Sequence, residues 1–292
     1  MVTSQTGVLA PLARAGRYMT LSLAHGAAPA TVLARLHELV VDDALVVGLG
    51  EPLVRAAGKA VPGLRTFPAL CGPGPAIPST QGALFLHTRG DDHGHTLRAL
   101  RRVVAQLADH VRVEEDVVGF VHDIGRDLSG FEDGTENPKG DAAQRAAIVT
   151  GRGDGLDGGS FVAAQRWVHD LARLEAMDAP TRDALIGREL ETNDELADAP
   201  PGAHVKRAQQ EGFEPPAFMV RRSMPYGSVG EHGLYFVAYV AALDDFERVL
   251  ARMAGLDDGI VDGLFEFSRP VSGGYYWCPP VRGAHLDLRA LE

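Results

Sequence analysis

Gly82-Ala-Leu-Phe-Leu-His87 and Gly233-Leu-Tyr-Phe-Val-Ala238 are two similar apolar segments at matching places in the two halves of the chain. Short apolar runs of this kind, each opened by a glycine, are typical of buried strands. Each run leads into a segment with apolar residues at helical spacing, over 95–110 in the first half and 243–254 in the second. The sequence therefore predicts the same strand and helix twice.

The segments that precede these runs also repeat. In the first half we predict a strand over 17–23, a helix over 30–40 and a strand over 43–49. In the second half we predict a strand over 160–167, followed by a helix over 168–177. Two βαββαβ-like halves with antiparallel sheets and helices on one face indicate a duplicated ferredoxin-like unit of the α+β class.

Size and composition agree with such a duplication. A chain of 292 residues with 45% hydrophobic residues can bury a core large enough for one large domain or two of ordinary size. We place the N-terminal half at residues 1–145 and the C-terminal half at residues 146–292. The glycine-rich segment 151–159 lacks the lysine of a phosphate loop and is predicted to be the flexible junction between the halves.

The acidic balance of the chain argues against several kinds of partner. Lys and Arg total 28 against 39 Asp and Glu, so the net charge of -11 repels nucleic acid and anionic lipid. No segment approaches the roughly 20 apolar residues of a membrane span, and the first residues lack a signal-peptide pattern. Cys71 and Cys278 stand alone, which excludes a CxxC metal site. We therefore expect a cytoplasmic protein that binds neither nucleic acid nor membrane.

Gly130-Phe-Glu-Asp-Gly-Thr-Glu-Asn-Pro138 is the segment richest in acids and glycines. By composition alone it is typical of a turn. Its oxygen ligands do not follow the order of an EF-hand loop, so a calcium site is a poor fit. The alternatives at this point are a structural turn and a functional loop built around Asp133.

Two histidine segments are candidates for metal binding. His93-Gly-His95, with His87 and Asp92 before it, has ligand-type residues, but a polar segment before a helix is more often a solvated N-cap. His204 follows the prolines of Pro200-Pro-Gly-Ala-His204 and opens a predicted helix, where a lone histidine is usually structural. Neither histidine segment identifies a metal site by itself.

Arg221-Arg-Ser223 lies inside a segment over 218–227 that we predict to be a strand. Because alternate residues of a strand share a face, Arg221 and Ser223 are expected on the same side. A buried guanidinium needs an anionic or oxyanion partner. A structural ion pair in the core explains the pattern as well as a catalytic arginine does.

The three segments, in this order, resemble the motifs of B-type dye-decolorizing peroxidases. They are Gly130-Phe-Glu-Asp133-Gly for the GxxDG motif, His204 in His-Val-Lys-Arg207, and Arg221-Arg-Ser223 for Arg-x-Ser/Asn. The resemblance extends over nearly the whole chain, from 17–23 to 269–280. It implies two ferredoxin-like halves that form a dimeric α+β barrel-like fold, with one haem b held by the C-terminal half.

The resemblance implies a role for each motif residue. His204 is implied as the proximal ligand of the haem iron, with an acid as the second partner of its imidazole. Asp262 and Glu266 are the candidate acids, and their i, i+4 spacing would put both on one helical face. On the other haem face, Asp133 is implied as the acid/base for peroxide and Arg221 as the group that stabilises developing negative charge.

Three further residues are weaker candidates for contacts with the cofactor or peroxide. Ser223 stands where many relatives have asparagine, and it would hold peroxide or an ordered water. Asn137, in the acidic loop, and Arg207, one helical turn after His204, are candidates for binding a haem propionate, as is Arg221. Trp167, Trp277, Tyr275 and Tyr276 are candidates for carrying electrons to the surface, although such rings more often pack in the core.

The predicted activity is a haem peroxidase that reduces hydrogen peroxide through a ferryl intermediate and oxidises small aromatic or dye-like donors. We expect a homo-oligomer, and the segment 286–292 lacks the long tail by which some relatives enter a protein nanocompartment. One alternative is a haem-binding or haem-handling protein with incidental peroxidase activity. Another is a non-haem α+β protein in which Asp133 and Arg221 form a structural ion pair.

Overall fold

The computed structural model describes residues 2–292, which form antiparallel strands with helices packed outside them. The strands are β1 (Val2–Thr3), β2 (Ala15–Leu23), β3 (Leu45–Gly50), β4 (Leu84–Gly90), β5 (Val111–Phe120), β6 (Ser160–His169), β7 (Val220–Arg221), β8 (Met224–Gly227), β9 (His232–Val240), β10 (Ser268–Pro270), β11 (Gly274–Cys278), β12 (Val281–Arg282) and β13 (His285–Leu286). The α-helices are α1 (Thr6–Leu9), α2 (Pro29–Glu38), α3 (Glu51–Ala56), α4 (His93–Leu107), α5 (Gly140–Ala147), α6 (Leu171–Glu175), α7 (Ala179–Ile186), α8 (His204–Arg207) and α9 (Leu243–Met253).

Both halves have the same strand order. In the first half the strands lie side by side as β5-β2-β4-β3, and in the second half as β8-β9-β6-β11. We number the four strands of each half by their position in the sequence. Followed from β5, the first half has the order 4-1-3-2, and followed from β11, the second half has the same order. This is the order of a ferredoxin-like βαββαβ unit, so the predicted duplication is confirmed.

The two sheets join at both edges and close into a barrel. β3 pairs with β11 through Gly50 and Tyr276, and β5 pairs with β8 through Gly119 and Tyr226. Within the barrel, buried aromatic rings stack, with the ring centroids of Tyr18 and Tyr235 4.4 Å apart. Because side chains alternate along a strand, every second residue of β6 and β9 points away from this interior, toward the helices. The functional cavity forms on that outer side.

Strand β6 is longer than the sequence pattern predicts. The predicted strand ended at Trp167 and a helix was expected over 168–177, but β6 runs to His169 and α6 is only five residues long. The extra residues are held because Val168 and His169 pair with β10. The prediction of one strand over 218–227 is also wrong, since β7 ends at Arg221 and β8 begins at Met224.

The histidines near the start of α4 do not come together as a ligand set. Asp92 caps the helix, its carboxylate accepting from the backbone N–H of His95 at 2.9 Å. His87 instead lies inside the barrel, 3.0 Å from the Tyr239 hydroxyl, and burial lowers its pKa to about 3. The capping function expected for this polar segment is confirmed.

The division of the chain at 145/146 stays a prediction. Helix α5 continues across it, and β1 pairs with β12 from the far end of the chain. Within residues 2–292 no helix is both long and apolar enough to cross a bilayer.

Candidate functional site

A cavity that opens to solvent lies between helix α9 and the outer face of strands β6 and β9. Its wall is mostly apolar, as in most small-molecule sites. Helix α9 supplies one side of the wall because its apolar residues recur at helical spacing and face the sheet. The apolar lining comprises Phe131, Trp167, Ile186, Ala208, Met219, Leu234, Phe236, Phe246, Val249, Leu250, Met253 and Leu264.

His204 lies on this wall and is held by a buried acid. Its Nδ1 is 2.9 Å from Oδ2 of Asp262, a residue that is 1% exposed. Asp262 is fixed in turn because its Oδ1 accepts from the backbone N–H of Leu264 at 2.8 Å and caps the 3₁₀ turn Gly263–Glu266. With Nδ1 donating to a carboxylate, the lone pair of His204 is on Nε2.

Glu266 does not support His204. Its carboxylate binds Arg173, and both side chains are about half exposed. The expected shared helical face does not form because residues 263–266 are a 3₁₀ turn and Asp262 is its cap. Of the two acids left open by the sequence, Asp262 is the one in contact with the histidine.

Asp133 and Arg221 line the same cavity as His204. The Nη1 atom of Arg221 is 3.9 Å from Oδ1 of Asp133, and 15% of the arginine side chain is exposed. Arg221 Nε is buried and has no hydrogen-bond partner among the described residues. The guanidinium is therefore close to Asp133 without being fully engaged by it.

The acidic loop is shaped by its glycines and by Asn137. Gly130 and Gly134 have φ angles of 93° and 80°, values that favour glycine, and they bend the chain on either side of Asp133. Asn137 holds Arg221 by the backbone, since its Nδ2 donates to Arg221 O at 3.0 Å and its Oδ1 accepts from Arg221 N at 2.8 Å. The loop and the arginine are thereby fixed to each other.

These contacts correct three of the sequence-based assignments. Asn137 is not part of the cavity wall, and its amide nitrogen and oxygen both bind the backbone of Arg221. Arg207 is turned away from the cavity, and its guanidinium makes a two-point contact with Asp258 at 2.8 Å. Ser223 is outside the cavity wall because strand β7 ends at Arg221. The Oγ of Ser223 instead accepts from the backbone N–H of Val237 at 3.2 Å.

The sequence reasoning missed several polar residues of the cavity wall, among them Asp127, Gln165, His169 and Ser268. Asp127, His169 and Ser268 form a buried hydrogen-bonded chain, and Gln165 has a buried Nε2 without a partner among the described residues. The signal was present, because Gln165, Trp167 and His169 continue the alternation of β6 on the cavity side. The sequence analysis did not assign His169 to the cavity because the predicted strand ended at Trp167.

Asp133 has a raised pKa. Burial against the cavity wall is the main cause, Arg221 acts in the opposite direction, and the negative charge of Asp127 raises the pKa further. About a quarter of the side chain still touches solvent. The acid form of Asp133 is therefore favoured more than that of an ordinary aspartate.

We expect Asp133→Asn to raise the melting temperature at pH 7. With its pKa raised in the folded protein, wild-type Asp133 binds more protons folded than unfolded between the ordinary aspartate pKa, about 4, and the raised value. The stability of the wild type thus falls as pH rises through this window, whereas asparagine carries no charge. Melting curves of protein prepared without haem should show the gain shrinking toward zero as pH falls to about 4. A gain that is the same at both pH values would contradict the raised pKa.

Comparison with known proteins identifies the family of this fold. Residues 43–121 match the model of the Dyp-type peroxidase N-terminal region, and residues 125–283 match that of the C-terminal region. The dye-decolorizing peroxidase of Mycobacterium tuberculosis is 33% identical over 77% of this chain and 69% of its own length. That of Mycolicibacterium paratuberculosis is 30% identical over 94% of this chain and 83% of its own.

Solved structures of similar proteins indicate the same family. A dye-decolorizing protein from V. cholerae is 31% identical, with a TM-score of 0.84 over 94% of this chain and 97% of that one. A variant of DypB from Rhodococcus jostii, solved in complex with heme, is 29% identical, with a TM-score of 0.85 over 93% and 94% of the two chains. Both family models and the relatives that span most of the chain lead to one conclusion: this chain belongs to the Dyp-type peroxidase family of oxidoreductases.

Proposed function

We propose that the chain is a haem b peroxidase that reduces hydrogen peroxide and oxidises small aromatic donors. The observation that carries the proposal is that His204, supported from behind by Asp262, lines the same apolar cavity as Asp133 and Arg221. To hold the haem iron, a protein needs only an axial ligand such as His204 and the carboxylate that supports it. A carrier of haem has no need of an acid and a guanidinium beside it.

The residues of the cavity fit a haem. Its apolar wall suits the faces of a porphyrin, and Arg221 Nε and Gln165 Nε2 are buried donors without a partner in the described structure. Buried donors normally have acceptors, so both are matched to the oxygen atoms of a propionate or of bound peroxide. The heme in the DypB variant from Rhodococcus jostii is a further support.

His204 would hold the iron through Nε2, because its Nδ1 is taken up by Asp262. The buried carboxylate fixes the tautomer and the ring orientation and makes the imidazole a stronger electron donor. A bound haem would supply the two-electron reduction of peroxide and the one-electron oxidation of donors. The chain's own residues hold that group and handle the protons.

Asp133 and Arg221 would act on the peroxide. Asp133 takes the proton from one peroxide oxygen and returns it to the leaving oxygen, and its raised pKa suits the donating step. Arg221 stabilises the negative charge that develops as the O–O bond breaks, and the Asn137 contact keeps it in place. Ser223 has no part in this assignment.

Donors would be oxidised at the mouth of the cavity rather than at a surface ring. Trp167, Trp277, Tyr275 and Tyr276 are all at most 4% exposed and pack in the core. The mouth itself is polar and open, lined by Glu132, Glu136, Arg188, Glu195 and Lys206. Small phenols and aromatic amines can approach there, whereas bulky dyes would meet only the rim. The homo-oligomer and the cytoplasmic location stay predictions.

An absorbance spectrum of the purified, haem-supplied protein tests this proposal. A Soret band that shifts within seconds of mixing with hydrogen peroxide, followed by return on adding a phenol, would support a peroxidase. A Soret band with only slow bleaching would favour the haem-handling alternative. Absence of the band would favour a non-haem protein with a structural Asp133–Arg221 pair.

We expect Asp262→Asn to weaken haem affinity by roughly 10–100-fold, the usual effect of losing a carboxylate behind a metal-bound histidine. Asparagine keeps the size of the side chain but removes the charge that supports the imidazole. Glu266→Gln is the matched control, because Glu266 binds exposed Arg173 instead. Titration of haem into each variant measures the affinity, and equal affinities for both variants would remove Asp262 from its role.

A further inference from the structure

Asp127, His169 and Ser268 form a chain of hydrogen bonds through the cavity wall. Nε2 of His169 is 3.1 Å from Oδ2 of Asp127, and Nδ1 is 2.7 Å from Oγ of Ser268. None of the three residues is more than 9% exposed. Buried ionisable groups are costly to retain, and the peroxide chemistry assigned to Asp133 and Arg221 does not use them.

The chain connects two spaces. All three residues line the internal cavity, while His169 and Ser268 also line a separate cleft on the outer surface. The cleft is open to solvent and is bordered by Arg173, His232 and Arg269. The imidazole thus stands between bulk water and the cavity.

The inner end of the chain is built into the loop that carries Asp133. The backbone N–H of Asp127 donates to Phe131 O at 2.8 Å, and its own carbonyl accepts from Gly130 N at 2.9 Å. Its carboxylate also accepts from Ser129 N at 3.1 Å. This closed turn leads within two residues to Asp133, and both carboxyls face the cavity.

The two carboxyls differ in proton affinity. Burial opposes ionisation of Asp127, but the hydrogen bonds from His169 and Ser129 outweigh it and keep its pKa below the ordinary value. The pKa of Asp133 is raised. A proton that reaches Asp127 is therefore held less tightly there than it would be on Asp133.

On the basis of the proposed function, we propose that Ser268, His169 and Asp127 form a proton relay between the outer cleft and Asp133, which exchanges protons in both directions. The Ser268 hydroxyl gives its proton to Nδ1 and takes another from cleft water. Nε2 releases its proton to the Asp127 carboxylate, which passes it to Asp133 through water in the cavity. The same steps in reverse carry a proton from Asp133 to the cleft, which returns His169 to its first tautomer and frees the Asp133 carboxylate to accept the proton of peroxide or hydrogen cyanide. No electrons move and no covalent bond between heavy atoms changes.

Ser268→Ala in the haem-loaded protein tests the relay, because it removes the outer step and leaves the His169–Asp127 contact intact. Ser268→Thr restores a hydroxyl, and Arg269→Ala is a control for an exposed residue of the same cleft. Rapid mixing with hydrogen peroxide, in water and in deuterium oxide, gives the rate of the haem spectral change and its isotope effect. The rate of cyanide binding is the second readout, since hydrogen cyanide must lose its proton without any turnover.

We expect Ser268→Ala to slow both reactions about tenfold, less than the 10²–10⁴-fold that loss of the acid/base itself costs. The solvent isotope effect should rise, and threonine should restore both rates. If the alanine variant keeps its Soret band and both wild-type rates, the relay is wrong. The relay would also be overturned if the alanine variant lost its haem and the threonine variant still bound cyanide slowly. Ser268 would then have a purely structural role. A wild type without a Soret band or peroxide response would instead overturn the proposed function.

Discussion

Replacing His204 by alanine is expected to weaken haem binding more than about 100-fold, because loss of a mere supporting partner already costs roughly 10–100-fold. Behind the imidazole lies a buried carboxylate, that of Asp262, which is itself fixed by a helix-cap contact. The neighbouring wall would keep apolar contacts with a porphyrin, so weak binding with an altered spectrum should remain. Haem titration followed at the Soret band measures the loss.

His25→Ala is a matched control for His204→Ala, since His25 is an exposed histidine far along the chain from the cavity residues. It should bind haem as the wild type does. Unchanged affinity and an unchanged ligand-field spectrum in His204→Ala would show that another residue holds the iron. Asp262→Asn should fall between the control and His204→Ala.

Arg221→Ala is expected to keep haem but to react with hydrogen peroxide about 10²–10³-fold more slowly, the usual cost of losing one group that stabilises developing charge. The guanidinium lies 3.9 Å from Asp133 and carries an unpartnered buried Nε, so it can bind an oxyanion in the cavity. Arg221→Lys keeps the charge but loses the planar donors, and it should recover only part of the rate. Rapid mixing at several peroxide concentrations gives the second-order rate constants.

The double variant Arg221→Ala, Asp133→Ala shows whether the two residues act on one step. If they do, the second substitution should cost much less in the presence of the first than alone. Losses that add fully would place them on separate steps. An Arg221→Ala protein with an intact Soret band and the wild-type rate would remove the arginine from the mechanism.

Much of the architecture follows from local patterns. The two apolar runs that became β4 and β9, and the helical spacing that became α4 and α9, are properties of short segments. Because the period of apolar residues decides whether a segment is a strand or a helix, repetition of the pattern predicted repetition of the unit. The closure of the two sheets into a barrel then buries both inner faces.

Errors arose where pairing with a distant strand decided the local structure. β6 continues to His169 only because β10, a hundred residues later, pairs with it. The same distance separates His169 from Ser268, so the hydrogen-bonded chain in the cavity wall has no signature in either local sequence. Only the alternation of Gln165 and Trp167 hinted that the next cavity residue would be His169.

The three motifs, the acidic loop among them, were visible in the sequence by itself, because acids flanked by glycines, a lone histidine and an arginine in an apolar run are local features. Which side chains meet was decided by the tertiary structure. Asp262 and Glu266 share a spacing that suggests one face, yet a 3₁₀ turn directs one to His204 and the other to Arg173. The side chains of Arg207 and Ser223 face away from the cavity, toward Asp258 and Val237. The sequence determined the repeated unit and the chemistry available, whereas packing determined the partners, since a hydrogen bond depends on distance in space and not on spacing along the chain.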